Sequence, residues 1–133
     1  MRHGNRVNNL SRPKAARNSM ILSQVKSLLQ NKSLETTTAK AKVAKQFSDR
    51  FINNLLTKEG LLLERYIEKS LKTKDLNQYL IEELKPLLDS TKTGGFTKIY
   101  KVESRKGDNA TMSLLKLTLI SKAKSPKAKK KSK

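Results

Sequence analysis

Arg2, Arg6, Arg12, Lys14 and Arg17 follow one another at intervals of two to six residues, and no carboxylate precedes Glu35. Guanidinium forks at that density can grip phosphate oxygens in pairs or lie flat against bases. The other end repeats the pattern in lysine, with eight lysines and no acid in the last twenty-five residues. Of the net charge of +19, fifteen units lie in these two terminal stretches, whereas residues 35–108 set fifteen cations against all eleven acids. The chemistry implied is neutralisation of a polyanion with release of its counterions, so that affinity falls steeply with salt.

Bond-making chemistry has much less to draw on. His3 is the only histidine, stands in a polar stretch with no second ligand type beside it, and reads as an arm residue or a phosphate contact. Glu82 and Glu83 are adjacent on a helical pattern and point about 100° apart. Glu64 and Glu68 share a face, but with Arg65, Lys69 and Lys72 they make ordinary helix-surface charge. The absence of cysteine removes thiol nucleophiles, thiolate metal sites and disulfides, and suits a reducing compartment. Gly94-Gly95 opens a strand and lacks the following helix N-terminus that makes a phosphate cradle effective, so it reads as a turn, with a backbone approach to RNA phosphate as the alternative. No acid, base and nucleophile converge. The chain therefore reads as a non-enzyme with no metal, cofactor or small-molecule substrate.

The elements that must position these cations are legible from spacing. Residues 1–12 show no period and form a basic arm. Ser11 and Pro13 suggest a capped helix start, and Ile21, Val25, Leu28 and Leu29 recur at helical intervals, which predicts a helix over 13–31. Ser33 to Thr38 is short and β-branched and predicts a strand. Thr37 or Thr38 can cap the next helix, where Ala44, Phe47, Phe51 and Leu55 form a stripe that runs until Gly60. Leu63, Tyr66, Ile67 and Leu71 predict a third helix; Leu76, Leu80, Leu84 and Leu88 predict a fourth over 73–89, with Pro86 near its end. Residues 96–104 and 111–120 read as strands joined by the turn residues Lys106-Gly107-Asp108-Asn109.

The expected class is α+β, in the order helix, strand, three helices, C-terminal β-hairpin, with the helices packed on one small mixed sheet. One domain over 13–120 would lie between the arm and a lysine-rich disordered tail over 121–133.

Three Phe, three Tyr and no Trp argue against an aromatic stacking platform and for recognition through phosphate and shape. No apolar run is long enough to span a bilayer, and the middle helices carry mixed charge unlike a membrane-surface helix. An acid-free, arginine-rich start also fits an organelle transit peptide. A nucleoid-type DNA-binding protein shares every electrostatic feature and is the alternative function.

The chain resembles the bacterial large-subunit ribosomal protein family numbered seventeen. The resemblance rests on Met1-Arg2-His3, Leu10-x-Arg12 with Arg17 and Met20, Ser27-Leu28-Leu29, Leu34-x-Thr36-Thr37 and Lys40-Ala41-Lys42. Its most specific stretch is Gly94-Gly95-Phe96-Thr97-Lys98-Ile99 with Arg105-x-Gly107-Asp108-Asn109-Ala110-x-Met112. The family commonly carries arginine at the Lys98 position, and histidine where Ala16 stands. The match covers roughly residues 1–120 and begins at Met1, which favours a bacterial cytoplasm over a transit peptide. It implies a protein of the ribosome bound to large-subunit ribosomal RNA near the peptide exit region, beside neighbouring ribosomal proteins. Residues and resemblance together give Arg2, His3, Arg6, Arg12, Lys14, Arg17, Lys40, Lys42, Lys98, Arg105 and Lys106 as RNA contacts, with helix one and the hairpin loop facing the RNA.

Overall fold

The computed structural model describes residues 8–88 and 91–119. Helix α1 (Lys14–Asn31) begins after Pro13, whose extended backbone (φ −63°, ψ 156°) and missing N–H suit the residue ahead of a first turn. Ser11 does not cap it. Leu10 and Ser11 both lie in the left-handed region (φ 53° and 52°), and the turn is closed by the Arg12 N–H donating to the Asn9 carbonyl at 3.1 Å.

At the far end of α1, Lys32 takes the left-handed position that stops helices (φ 63°). The hydroxyl of Tyr79 serves the carbonyls of Leu29 and Gln30, each at 3.2 Å, which would otherwise lack intrahelical donors. Burial there, followed by the charge of Glu83, raises the phenol's pKa above its ordinary value and keeps the proton it donates.

The turn at Lys32 returns the chain along α1 as β1 (Ser33–Thr37), which leads directly into α2 (Thr38–Thr57). Neither threonine caps α2 through its side chain. The Thr38 hydroxyl instead meets Ser113 Oγ at 2.8 Å and the Thr111 carbonyl at 3.2 Å, tying the start of the helix to the sheet. Helix α3 (Gly60–Leu71) buries Leu63, Ile67 and Leu71 at the spacing expected.

The fourth leucine stripe is fully used, with Leu76, Leu80, Leu84 and Leu88 all buried, but the segment is no regular α-helix over 73–89. A short turn leads to a π-helical stretch, Tyr79–Leu84, and a 3₁₀ turn, Lys85–Leu87; Asp89 lies outside the described residues. Leu80 and Leu84 lie within the π-helical stretch, Leu76 before it and Leu88 after the 3₁₀ turn, and all four still reach the core.

After the Gly94-Gly95 turn, where Gly95 needs φ +72°, Phe96 is buried and the chain forms β2 (Thr97–Lys101) and β3 (Met112–Leu117). The expected hairpin is present with shorter strands. It is antiparallel, and β3 also pairs antiparallel with β1, giving the order β1-β3-β2. A mixed sheet would need β1 beside β2; β3 separates them, so no parallel pairing arises.

Ser113, Leu115 and Leu117 turn to the inner face against α1 and α2. The core joins Val25, Leu28 and Leu29 to Phe51, Ile52 and Leu55, to Leu63, Ile67 and Leu71 of α3, to Leu80 and Leu84 of the π segment, and to Phe96. The opposite face of the sheet carries Lys98, Tyr100, Leu114 and Lys116, none of them fully buried.

Candidate nucleic-acid interface

Two bonds fix which cations share an end of the molecule. Gln24 Nε2 donates to Thr36 Oγ1 at 3.3 Å, so the middle of α1 lies beside the end of β1. The helix reaches about ten residues further back to Lys14, or roughly 15 Å past that point. The Thr38 N–H donates to the Thr111 carbonyl at 3.0 Å, which sets the start of α2 against the base of the loop between β2 and β3. Arg12 from the turn before α1, Lys14 and Arg17 from α1, Lys40 and Lys42 from α2, and Arg105 and Lys106 from the loop therefore gather at one end. Lys98 does not join them. It sits at the opposite end of β2, paired in register with Lys116. Arg2, His3 and Arg6 lie outside the described residues, as do residues 120–133.

The gathered side chains are held differently. Arg12, Lys14 and Lys42 are exposed and Lys40 is half-buried. Arg17 turns back, its Nη1 donating to Asn9 Oδ1 at 2.7 Å, so it braces the turn before α1 and keeps its other donors for a ligand. In the loop, Arg105 Nε donates to Asp108 Oδ1 at 3.1 Å and Nη2 to Oδ2. The same carboxylate accepts the Ala110 N–H at 3.2 Å, while Gly107 (φ 107°) and Asn109 (φ 51°) supply the left-handed positions of the turn.

Asp108 thus shapes the loop, as its place in the turn sequence suggested, and aims the guanidinium. The Arg105 hydrogen bond, then the Ala110 N–H, lower its pKa from 3.8 to about 2. A carboxylate lowered in the folded state supports the loop above its ordinary pKa and loses that contribution as pH falls through the lowered one. In an NMR titration the Asp108 carboxyl signal is expected to move near pH 2, with the Arg105 Nε–H shift following it; a midpoint near 4 would mean that the pair is not formed in solution.

Spacing alone missed several cations. Lys116 counts in the sequence only as one of the eight lysines of the last twenty-five residues; register puts it opposite Lys98. Arg50, Lys69 and Lys72 line an open cavity of about 530 Å³ between the helices, over Ile21, Phe47, Phe51 and Tyr66. Its walls include no carboxylate or histidine. Among the described residues no group of three or more His, Cys, Asp or Glu side chains is placed to hold a metal, and no helix is long and apolar enough to cross a membrane.

A small antiparallel sheet backed by helices, with cations from three elements at one end and net charge +19, defines a basic α+β protein built to meet a polyanion. Residues 20–118 match the family model described as ribosomal protein L17. The chain belongs to that family.

Similar proteins include the large ribosomal subunit protein bL17 of Amoebophilus asiaticus, 34% identical over 131 residues, which span 96% of this chain and 66% of that protein. The bL17 of Rubrobacter xylanophilus is 38% identical over 117 residues, 88% of this chain and 95% of its own length. The bL17 of Syntrophobacter fumaroxidans is 37% identical over 134 residues, covering this chain completely and 85% of its own length.

Proposed function

We propose that this protein is a structural, non-catalytic constituent of the large ribosomal subunit in the bacterial cytoplasm, binding ribosomal RNA beside neighbouring ribosomal proteins. The observation that supports this most is the gathering of Arg12, Lys14, Arg17, Lys40, Lys42, Arg105 and Lys106 at one end of a body whose length is covered by a ribosomal family. These residues act as phosphate and base-edge donors, with Lys98 serving a second surface. Residues 13–120 form the RNA-binding domain. Residues 1–12, with Arg2, His3 and Arg6, act as an arm that threads between RNA helices, and the lysines of 121–133 add unspecific attraction.

Sedimentation of lysate through gradients of rising salt tests the reading. Migration with the large subunit through moderate salt, abolished by ribonuclease, is the expected result. A chain that stays at the top of the gradient and ignores ribonuclease would contradict it, as would preference for duplex DNA in direct competition with structured ribosomal RNA.

A further inference from the structure

Among the described residues the sheet has a face that no helix covers, and register specifies what stands on it. Paired residues point to the same side, so the rows across the three strands are Ser33, Lys116 and Lys98, then Glu35, Leu114 and Tyr100. One row further, Thr37 pairs with Met112, which accepts the Val102 N–H at 3.1 Å. Lys98 and Lys116 are thus directly opposed, an arrangement that destabilises a strand pair unless something anionic lies over it. Glu35 sits diagonally from Lys116 and forms no ion pair among the described residues. In the row next to the lysines Tyr100 is 49% exposed, and Val102 in the row beyond it 44%, and the Tyr100 ring makes no aromatic or cation contact among the described residues.

We propose that this open face is a stacking site for an unpaired nucleotide of ribosomal RNA, the base lying on Tyr100 and its phosphates on Lys98 and Lys116. The inference rests on the RNA-binding reading above and adds a surface to it. Lysine on a sheet edge commonly serves to prevent strands of different molecules from pairing. That explanation suits Lys98 on the edge strand β2, but Lys116 is on the central strand β3, which has no free edge to protect.

Charge also selects the occupant. A second copy of this chain, at +19, would bring more cations to the lysine pair. So would the chain's own ends, which carry fifteen lysines and arginines and no acid. An anion is required, and the aromatic and aliphatic surface beside the lysines asks for a flat apolar group attached to it. A nucleotide has both parts, and base stacking on one aromatic side chain tolerates any sequence. The small number of aromatic residues argues against an extended platform, yet one exposed ring beside a pair of cations suffices for a single base.

The test uses the full-length chain reconstituted with large-subunit ribosomal RNA and irradiated with short-wave ultraviolet light, with adducts located by mass spectrometry. A nucleotide adduct on Tyr100 is expected. Tyr100→Phe should retain binding, whereas Tyr100→Ile, which keeps strand propensity but removes the ring, should weaken it roughly 5- to 150-fold. Lys98→Gln with Lys116→Gln should make the logarithmic salt dependence of binding shallower by about 1.4. Full affinity in Tyr100→Ile with an unchanged melting temperature would overturn the site, and so would an acidic protein segment crosslinked to Tyr100 in intact subunits. If wild type itself fails to bind the RNA, the broader reading falls; if wild type binds and Tyr100→Ile binds equally, only the sheet site falls.

Discussion

Replacing Arg12, Lys14, Lys40, Lys42 and Lys106 together by glutamine is expected to lower affinity for large-subunit ribosomal RNA by roughly 3.5 powers of ten at about 0.1 M salt. Each lost phosphate contact removes about 0.7 log units of salt dependence, and the variant converges with wild type at roughly 1 M. The measurement is a pair of binding isotherm series across salt, whose slopes should differ by about 3.5. Arg17 and Arg105 stay in this variant because each also holds local structure, Arg17 through Asn9 and Arg105 through Asp108. The five chosen side chains make no hydrogen bond or ion pair through their charged groups among the described residues, so the unfolding transition should stay in place. Parallel isotherms, with equal slopes, would mean that this end of the molecule does not face the RNA.

The second large effect concerns the fold. Leu115 is fully buried on the central strand, between Leu34 on one side and Ile99 on the other. Leu115→Ala removes three carbons from a site walled by two strands and the helices behind them, so the surroundings can close the gap only in part. A loss of about 2–5 kcal/mol is expected, a large share of the total for a domain of this size. Urea unfolding should show a lower midpoint at unchanged slope. Leu61→Ala, at a side chain 60% exposed, is the contrast and should move the midpoint little. Equal midpoints for wild type and Leu115→Ala would mean that this strand is not packed as described.

The sequence was most informative where periodicity and burial agree. Leu63, Ile67 and Leu71 meet the α-helical repeat, and their helix forms where spacing placed it. The leucines from 76 to 88 identified the buried face equally well. Their repeat of four could not distinguish an α-helix from a wider coil, because a step of four residues stays within one apolar face in either. Sheet order was hidden for a different reason. Residues 33–37 and 112–117 are far apart in the chain, and nothing local says that β3 enters between β1 and β2. The same long-range pairing conceals the Lys98–Lys116 row, since two lysines eighteen positions apart become neighbours only through register. Charge distribution, by contrast, needed no fold to be read. It identified the kind of partner, while the bonds of Gln24 and Thr38 were required to say which cations act from the same end.

The central place of β3 has a bearing on how the protein is made. Of the three strands it is synthesised last, so neither earlier strand has its neighbour while the ribosome is still adding residues before position 112. The helices, which close on local contacts, can organise first, and the two flanking strands wait as unpaired ribbons. Slow translation just before this point would lengthen the interval in which those ribbons can pair with other nascent chains, and fast release would shorten it.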